Sequence, residues 1–125
     1  MIATGHAQQV RWDRIGLGIR CAYNPSQPAV IRFWLRLGQQ LVQQQVLSEL
    51  QVQQRMLSLL LRTSADEALP WFWRSVCLEH SAAPQARLQS LLALHDPLAV
   101  QAIDAAVRIA RAELPALPPK AAPPW

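Results

Sequence analysis

The side chains best suited to chemistry in this chain are few and scattered. Cys21, Cys77, His80 and His95 are ligand types that hold zinc. Zinc sites built from such residues use close ligand pairs, and only Cys77 and His80 form one; Cys21 and His95 stand alone. The pattern falls short of a metal centre. Cys21 and Cys77 read as reduced, buried thiols, and the two histidines read as cations near helix C-termini, where the helix dipole favours them. No cofactor and no metal are expected.

Acid–base chemistry fares no better. Glu79 adjoins His80 and Asp13 adjoins Arg14, but neighbouring residues on a helix point in different directions. No Ser, Thr or Cys has a base that the pattern would place beside it. The glycines are Gly5, Gly16, Gly18 and Gly38, which make no phosphate-binding loop. The chain is therefore expected not to be an enzyme.

Binding chemistry is better represented. Trp71, Phe72 and Trp73 are consecutive, so on a helix they cannot all face one core, and a ring is expected at a surface or interface. Leu57 and Leu61, one turn apart, are further candidates for contact with another protein chain. Arg32 with Arg36, and Arg55 with Arg62, are spaced along single helix faces and are the candidates for nucleic-acid phosphates. The plain alternatives are core packing for the rings and solubilisation for the arginines.

These residues must be carried by helices. Pro28 to Arg62 holds no proline after its first residue and is rich in Leu, Gln and Arg, all good helix formers. Val30, Trp34, Leu37 and Leu41 form one helical stripe; Gln44 and Gln45 stand where it should continue. Apolar residues resume at Val46, Leu50, Leu57 and Leu61, about half a turn away. An unbroken helix would also be roughly 50 Å long, against a diameter near 35 Å for a compact chain of this size. Either the helix breaks near Gln43–Gln45, which is the expectation, or it stays whole and its two ends serve different partners.

Elsewhere, Met1 to Gln9 reads as a loose arm. Ile15, Leu17, Ile19, Cys21 and Tyr23 alternate with Gly16, Gly18, Arg20 and Ala22, a strand-like period of two closed by Asn24-Pro25. Ser64-Ala-Asp-Glu67 has the form of a capping box. Pro70 begins a short helix to His80, and Ser81-Ala-Ala-Pro84 begins another. Asp96-Pro97 marks a helix start with the stripe Val100, Ile103, Val107, Ala110 and Leu114, and with Asp104 and Arg108 paired outside. Residues 115–125 hold half of the chain's ten prolines and are expected to be extended or disordered. No internal repeat is apparent.

Charged residues make up only 16% of the chain, the net charge is +4, and every basic residue but Lys120 is arginine. No apolar run is long enough for a membrane span, and no secretion signal is seen, so a cytoplasmic protein with no membrane partner is expected. The reading is an all-α, compact bundle of about four or five helices. Residues 1–27 form a partly extended N-terminal arm, 28–114 the helical domain and 115–125 a proline-rich tail. The expected role is a non-enzymatic subunit or adaptor of a larger protein assembly, its partner another copy or a different chain. The alternative is a small basic helical subunit that contacts nucleic-acid phosphates through arginine.

Overall fold

The computed structural model describes residues 4–116, and these form six α-helices with no strand among them. They are α1 (Gly5–Arg20), α2 (Ala29–Gln43), α3 (Glu49–Ala65), α4 (Trp71–His80), α5 (Ala82–Leu92) and α6 (Pro97–Glu113). The all-α bundle expected from the sequence is present, with five helices after Pro28 and a sixth before it. α3 lies at the centre and packs on all five others.

The long apolar stretch does break where its stripe fails. α2 ends at Gln43, and Gln45 takes a left-handed φ of 60°. The Val46 N–H donates to the Leu41 carbonyl and the Gln45 N–H to that of Val42, which closes the helix in a Schellman turn. α3 then starts at Ser48, whose hydroxyl accepts from the Gln51 N–H while the Gln51 side chain accepts from the Ser48 N–H. This is the chain's capping box. Ser64-Ala-Asp-Glu67 is not one: Ser64 lies inside the last turn of α3 and donates to the Leu61 carbonyl. The second stripe is also rotated from its expected phase. Val52, Met56 and Leu60 face the main core, and Leu57 and Leu61 join a smaller cluster with Leu88, Leu92, Ile103 and Val107.

The strand-like reading of Ile15–Tyr23 is overturned, and with it the loose arm from Gly5 onward. Both lie in or beside α1, which is capped by Thr4. In the helix Trp12, Gly16 and Ile19 point inward, while Leu17, Cys21 and Tyr23 are exposed, so the alternation was coincidental. Ala22 adopts φ 50° and ends α1 in the same kind of turn that ends α2, with the Tyr23 N–H donating to the Gly18 carbonyl.

α1 and α2 pair through two indoles. Trp12 and Trp34 stack with centroids 5.4 Å apart. Each Nε1–H donates to the other's backbone carbonyl, at 3.1 and 3.0 Å. Each ring also lies beside a glycine of the opposite helix. A Cβ on Gly16 would stand 3.0 Å from Trp34 Nε1, and one on Gly38 would stand 3.2 Å from Trp12 Nε1. The chain does contain a short repeat after all: Trp12-Asp-Arg-Ile-Gly16 matches Trp34-Leu-Arg-Leu-Gly38. It places the same ring and the same gap on both helices.

Two contacts dock α4. Trp73 is buried and donates to the Ile19 carbonyl at 2.9 Å. Arg74, also buried, donates through Nε to the Ser64 carbonyl at 2.8 Å, satisfying an orphan acceptor at the end of α3. At the surface Arg20 pairs with Asp66 and Arg87 with Glu49. The expected pair of Asp104 with Arg108 does not form. Asp104 Oδ1 instead accepts from Gln85 and Gln89 of α5, which reach it across the helix interface.

α6 begins where Asp96-Pro97 predicted. Asp96 accepts from the Ala99 N–H at 3.1 Å, and Pro97 takes the first turn. Asp96→Ala is expected to cost about 1 kcal/mol, the usual loss for an N-cap side chain. A urea titration of the two proteins measures it.

Candidate partner-binding surface

The residues singled out from sequence separate clearly in the structure. Trp73 and Leu57 belong to the interior and offer nothing to a partner of the folded chain. Trp71 and Leu61 are half-buried, and Trp71 donates to the Pro115 carbonyl at 2.7 Å. From Leu117 onward the tail lies outside the described residues. Phe72 is 54% exposed and is the one ring of the triplet that faces outward.

Arg32, Arg36, Arg55 and Arg62 are all exposed, and among the described residues none forms a salt bridge. They do not form one patch by sequence position, since two lie on α2 and two on α3. Arg55 and Arg62 share the rim of a cavity of about 330 Å³ between α1 and α3. Its lining includes Trp12, Gly16, Trp34 and Leu59; Asp13, Gln54 and Ser58 complete the rim. Arg62 Nε donates to the Ser58 carbonyl at 3.4 Å, which holds the guanidinium near this opening.

The sequence reading missed a further surface on α6. The stripe Val100, Ile103, Val107, Ala110 and Leu114 faces inward, though only Val107 is fully buried. Leu98, Ala102, Ala105, Ile109 and Ala112 recur at spacings of four and three, so they form a second apolar stripe along the same helix. Leu98 is 74% exposed and Ile109 56%, and Leu94 just before the helix is 92% exposed. Beside Ile109, a shallow groove lined mostly by Leu61, Ala65, Ala106 and Ala110 runs between α3 and α6. The available signal was the presence of two stripes on one helix of a chain too small to bury both.

The reactive residue types stay apart. Among the described residues no group of three or more His, Cys, Asp or Glu side chains is placed to hold a metal ion. Cys77 is fully buried, and burial pushes its thiol up to about 12, so it is an inert core side chain. Cys21, expected inside as well, is instead exposed, because it caps the C-terminal end of α1 at the surface.

His80 is half-buried at the end of α4. Burial and the positive charge of Arg32 hold it below the ordinary histidine value of 6.5, against the opposing pull of Glu79. The unfolded chain therefore binds this proton more readily than the folded one. Stability is full above pH 6.5 and falls as the pH drops through that value toward the folded pKa, at no more than about 1.4 kcal/mol per pH unit for one proton. His80→Gln is expected to remove that slope, as read from urea midpoints across the range. Asp66 and Glu49 are held below their ordinary values of 3.8 and 4.5 chiefly by hydrogen bonds from Arg20 and Arg87, so their contribution is full above those values and is lost as the pH falls below them toward the depressed folded values.

Comparison with protein families, with curated proteins and with solved structures finds no match to this chain. Among the described residues no helix is long and apolar enough to cross a membrane.

Proposed function

We propose that the chain is a non-enzymatic helical subunit of a larger protein assembly and that α6 carries its main contact with a partner protein. The observation behind this is the stripe of exposed Leu98, Ala102, Ile109 and Ala112, with half-buried Ala105 at its middle, continued by exposed Leu94. Scattered exposed apolar residues are ordinary, but a continuous stripe at helical spacing is the form in which one helix docks on another. The small residues at its middle allow close approach of a partner helix. Few charged groups border it: Arg108 and Glu113 flank the stripe together with the neutral Gln101, and Asp104 is already engaged by two glutamines. We place the protein in the cytoplasm, a setting that suits its two free thiols. The test is whether Leu98→Glu with Ile109→Glu removes partner binding from a chain that still folds.

A second reading has its own observation: Arg32, Arg36, Arg55 and Arg62 are exposed and lack carboxylate partners among the described residues. If these bind nucleic-acid phosphates, affinity must fall steeply with salt, with a log–log slope of roughly −3 to −4 for four contacts. Absence of binding at low salt removes this reading.

A further inference from the structure

We infer that the groove between α1 and α3 receives an acidic amphipathic segment of a partner protein. This rests on the assembly reading and supplies the chemistry of one partner element. The groove combines three features. Its lining is partly apolar, with Trp34 and Leu59 both packed closely over Gly16. A volume of about 330 Å³ is at the small end of ligand cavities, enough for a few side chains of a docking segment.

The α3 rim is cationic. Arg55 and Arg62 are seven residues apart, two turns or roughly 10 Å along the helix. Carboxylates two turns apart on a helical segment lying along α3 match that spacing. Only Nε of Arg62 is engaged, by the Ser58 carbonyl, which leaves its terminal N–H groups to meet a carboxylate.

The α1 rim carries the opposite sign. Asp13 is exposed and in no ion pair among the described residues. A nucleic-acid strand along the groove would bring its phosphates against this carboxylate. A peptide can set a basic or neutral residue there, apolar side chains over Leu59, and acidic residues against Arg55 and Arg62. Charge complementarity across the groove therefore favours a peptide of mixed character over a uniform polyanion.

The experiment uses the full chain and a fluorescein-labelled synthetic helical peptide with a leucine stripe and glutamates two turns apart. Control peptides carry lysine for glutamate or a scrambled order, and an unlabelled single-stranded oligonucleotide serves as competitor. Anisotropy titrations are expected to show the glutamate peptide binding at least about tenfold tighter than either control. Arg55→Glu with Arg62→Glu should reverse the preference toward the lysine peptide. Ser58→Trp, which fills the opening from an exposed position without changing charge, should weaken binding by a similar factor. Circular dichroism confirms that both variants fold. Equal affinity for the glutamate and lysine peptides, equal affinity for the scrambled one, or no saturable binding would overturn the inference. Displacement of the peptide by the oligonucleotide at equal concentration would assign the groove to nucleic acid instead. Leu98→Glu with Ile109→Glu should leave peptide binding unchanged, so the groove and the α6 contact succeed or fail separately.

Discussion

Replacing Trp34 by alanine is expected to cost about 3–5 kcal/mol of stability, the largest effect of any single substitution considered. The indole is fully buried at the crossing of α1 and α2. Its loss removes the stack on Trp12, the hydrogen bond to the Trp12 carbonyl and the filling of the gap at Gly16. The helices cannot close the space by sliding, because Trp12 is held the same way on the other side, over Gly38. Domains of this size are stable by only about 5–15 kcal/mol, so the alanine variant is near its unfolding threshold. Trp34→Phe keeps most of the ring and loses the donor, and should cost about 1–2 kcal/mol. A double-mutant cycle with Trp12→Phe, measured in guanidinium chloride, should return a coupling of roughly 1 kcal/mol or more. Additive effects would mean that the two indoles act independently.

How much of this was visible beforehand differs by element. The division of α2 from α3 was legible because Gln44 and Gln45 occupy positions where an unbroken helix would need apolar side chains. α6 was legible because Asp96-Pro97 combines a side-chain cap with a residue that needs no N–H. α1 was not, for two physical reasons. Gly16 is unfavourable for an isolated helix, and its use appears only when Trp34 is packed against it. Ala22 ends α1 in a left-handed conformation for which glycine is the usual marker, so residue type gave no sign of that turn. The matching Trp-x-Arg-x-Gly segments were the signal that would have identified α1, since one copy already lay in a stretch read as helix.

The candidate surfaces were less legible than the fold. Trp73 and Leu57 attracted attention through residue type alone, and the packing of α1, α4 and α6 places both inside. Phe72 differs from Trp73 by one position, about 100° around the helix, and is exposed. The outward face of α6 was written in the spacing of Leu98, Ala102, Ala105, Ile109 and Ala112, but it ran beside the inward stripe and was absorbed into it. Arg55 and Arg62 were recognised as a pair; that they border a groove with an acidic opposite rim depends on α1, whose helix was unforeseen.

Leu98→Glu together with Ile109→Glu is expected to lower partner affinity by well over tenfold while leaving the fold intact. Both side chains are largely exposed in the isolated chain, so carboxylates there are solvated and surface substitutions of this kind cost within about 0.5 kcal/mol each. In a helix-to-helix interface the same carboxylates would be buried without counter-charges. Burying an unpaired charge costs several kcal/mol, enough to abolish a micromolar complex. Ala105→Trp is a steric counterpart: it adds bulk where the small residues permit close approach. The double glutamate variant should show a wild-type urea midpoint, which separates lost binding from lost folding. A large drop in stability would instead mean that α6 is covered by this chain's own residues.

The most direct measurement of the central claim starts from a photo-crosslinking residue at Ala105, with one at exposed Gln40 of α2 as control. The captured protein is identified by mass spectrometry, produced separately, and titrated against the wild type and the double glutamate variant. The account predicts a protein crosslinked from Ala105 and not from Gln40, binding the wild type as a saturable complex and the variant at least tenfold more weakly. A captured protein that binds both chains equally, or a chain that captures no protein from Ala105 and retains nucleic acid, would contradict it.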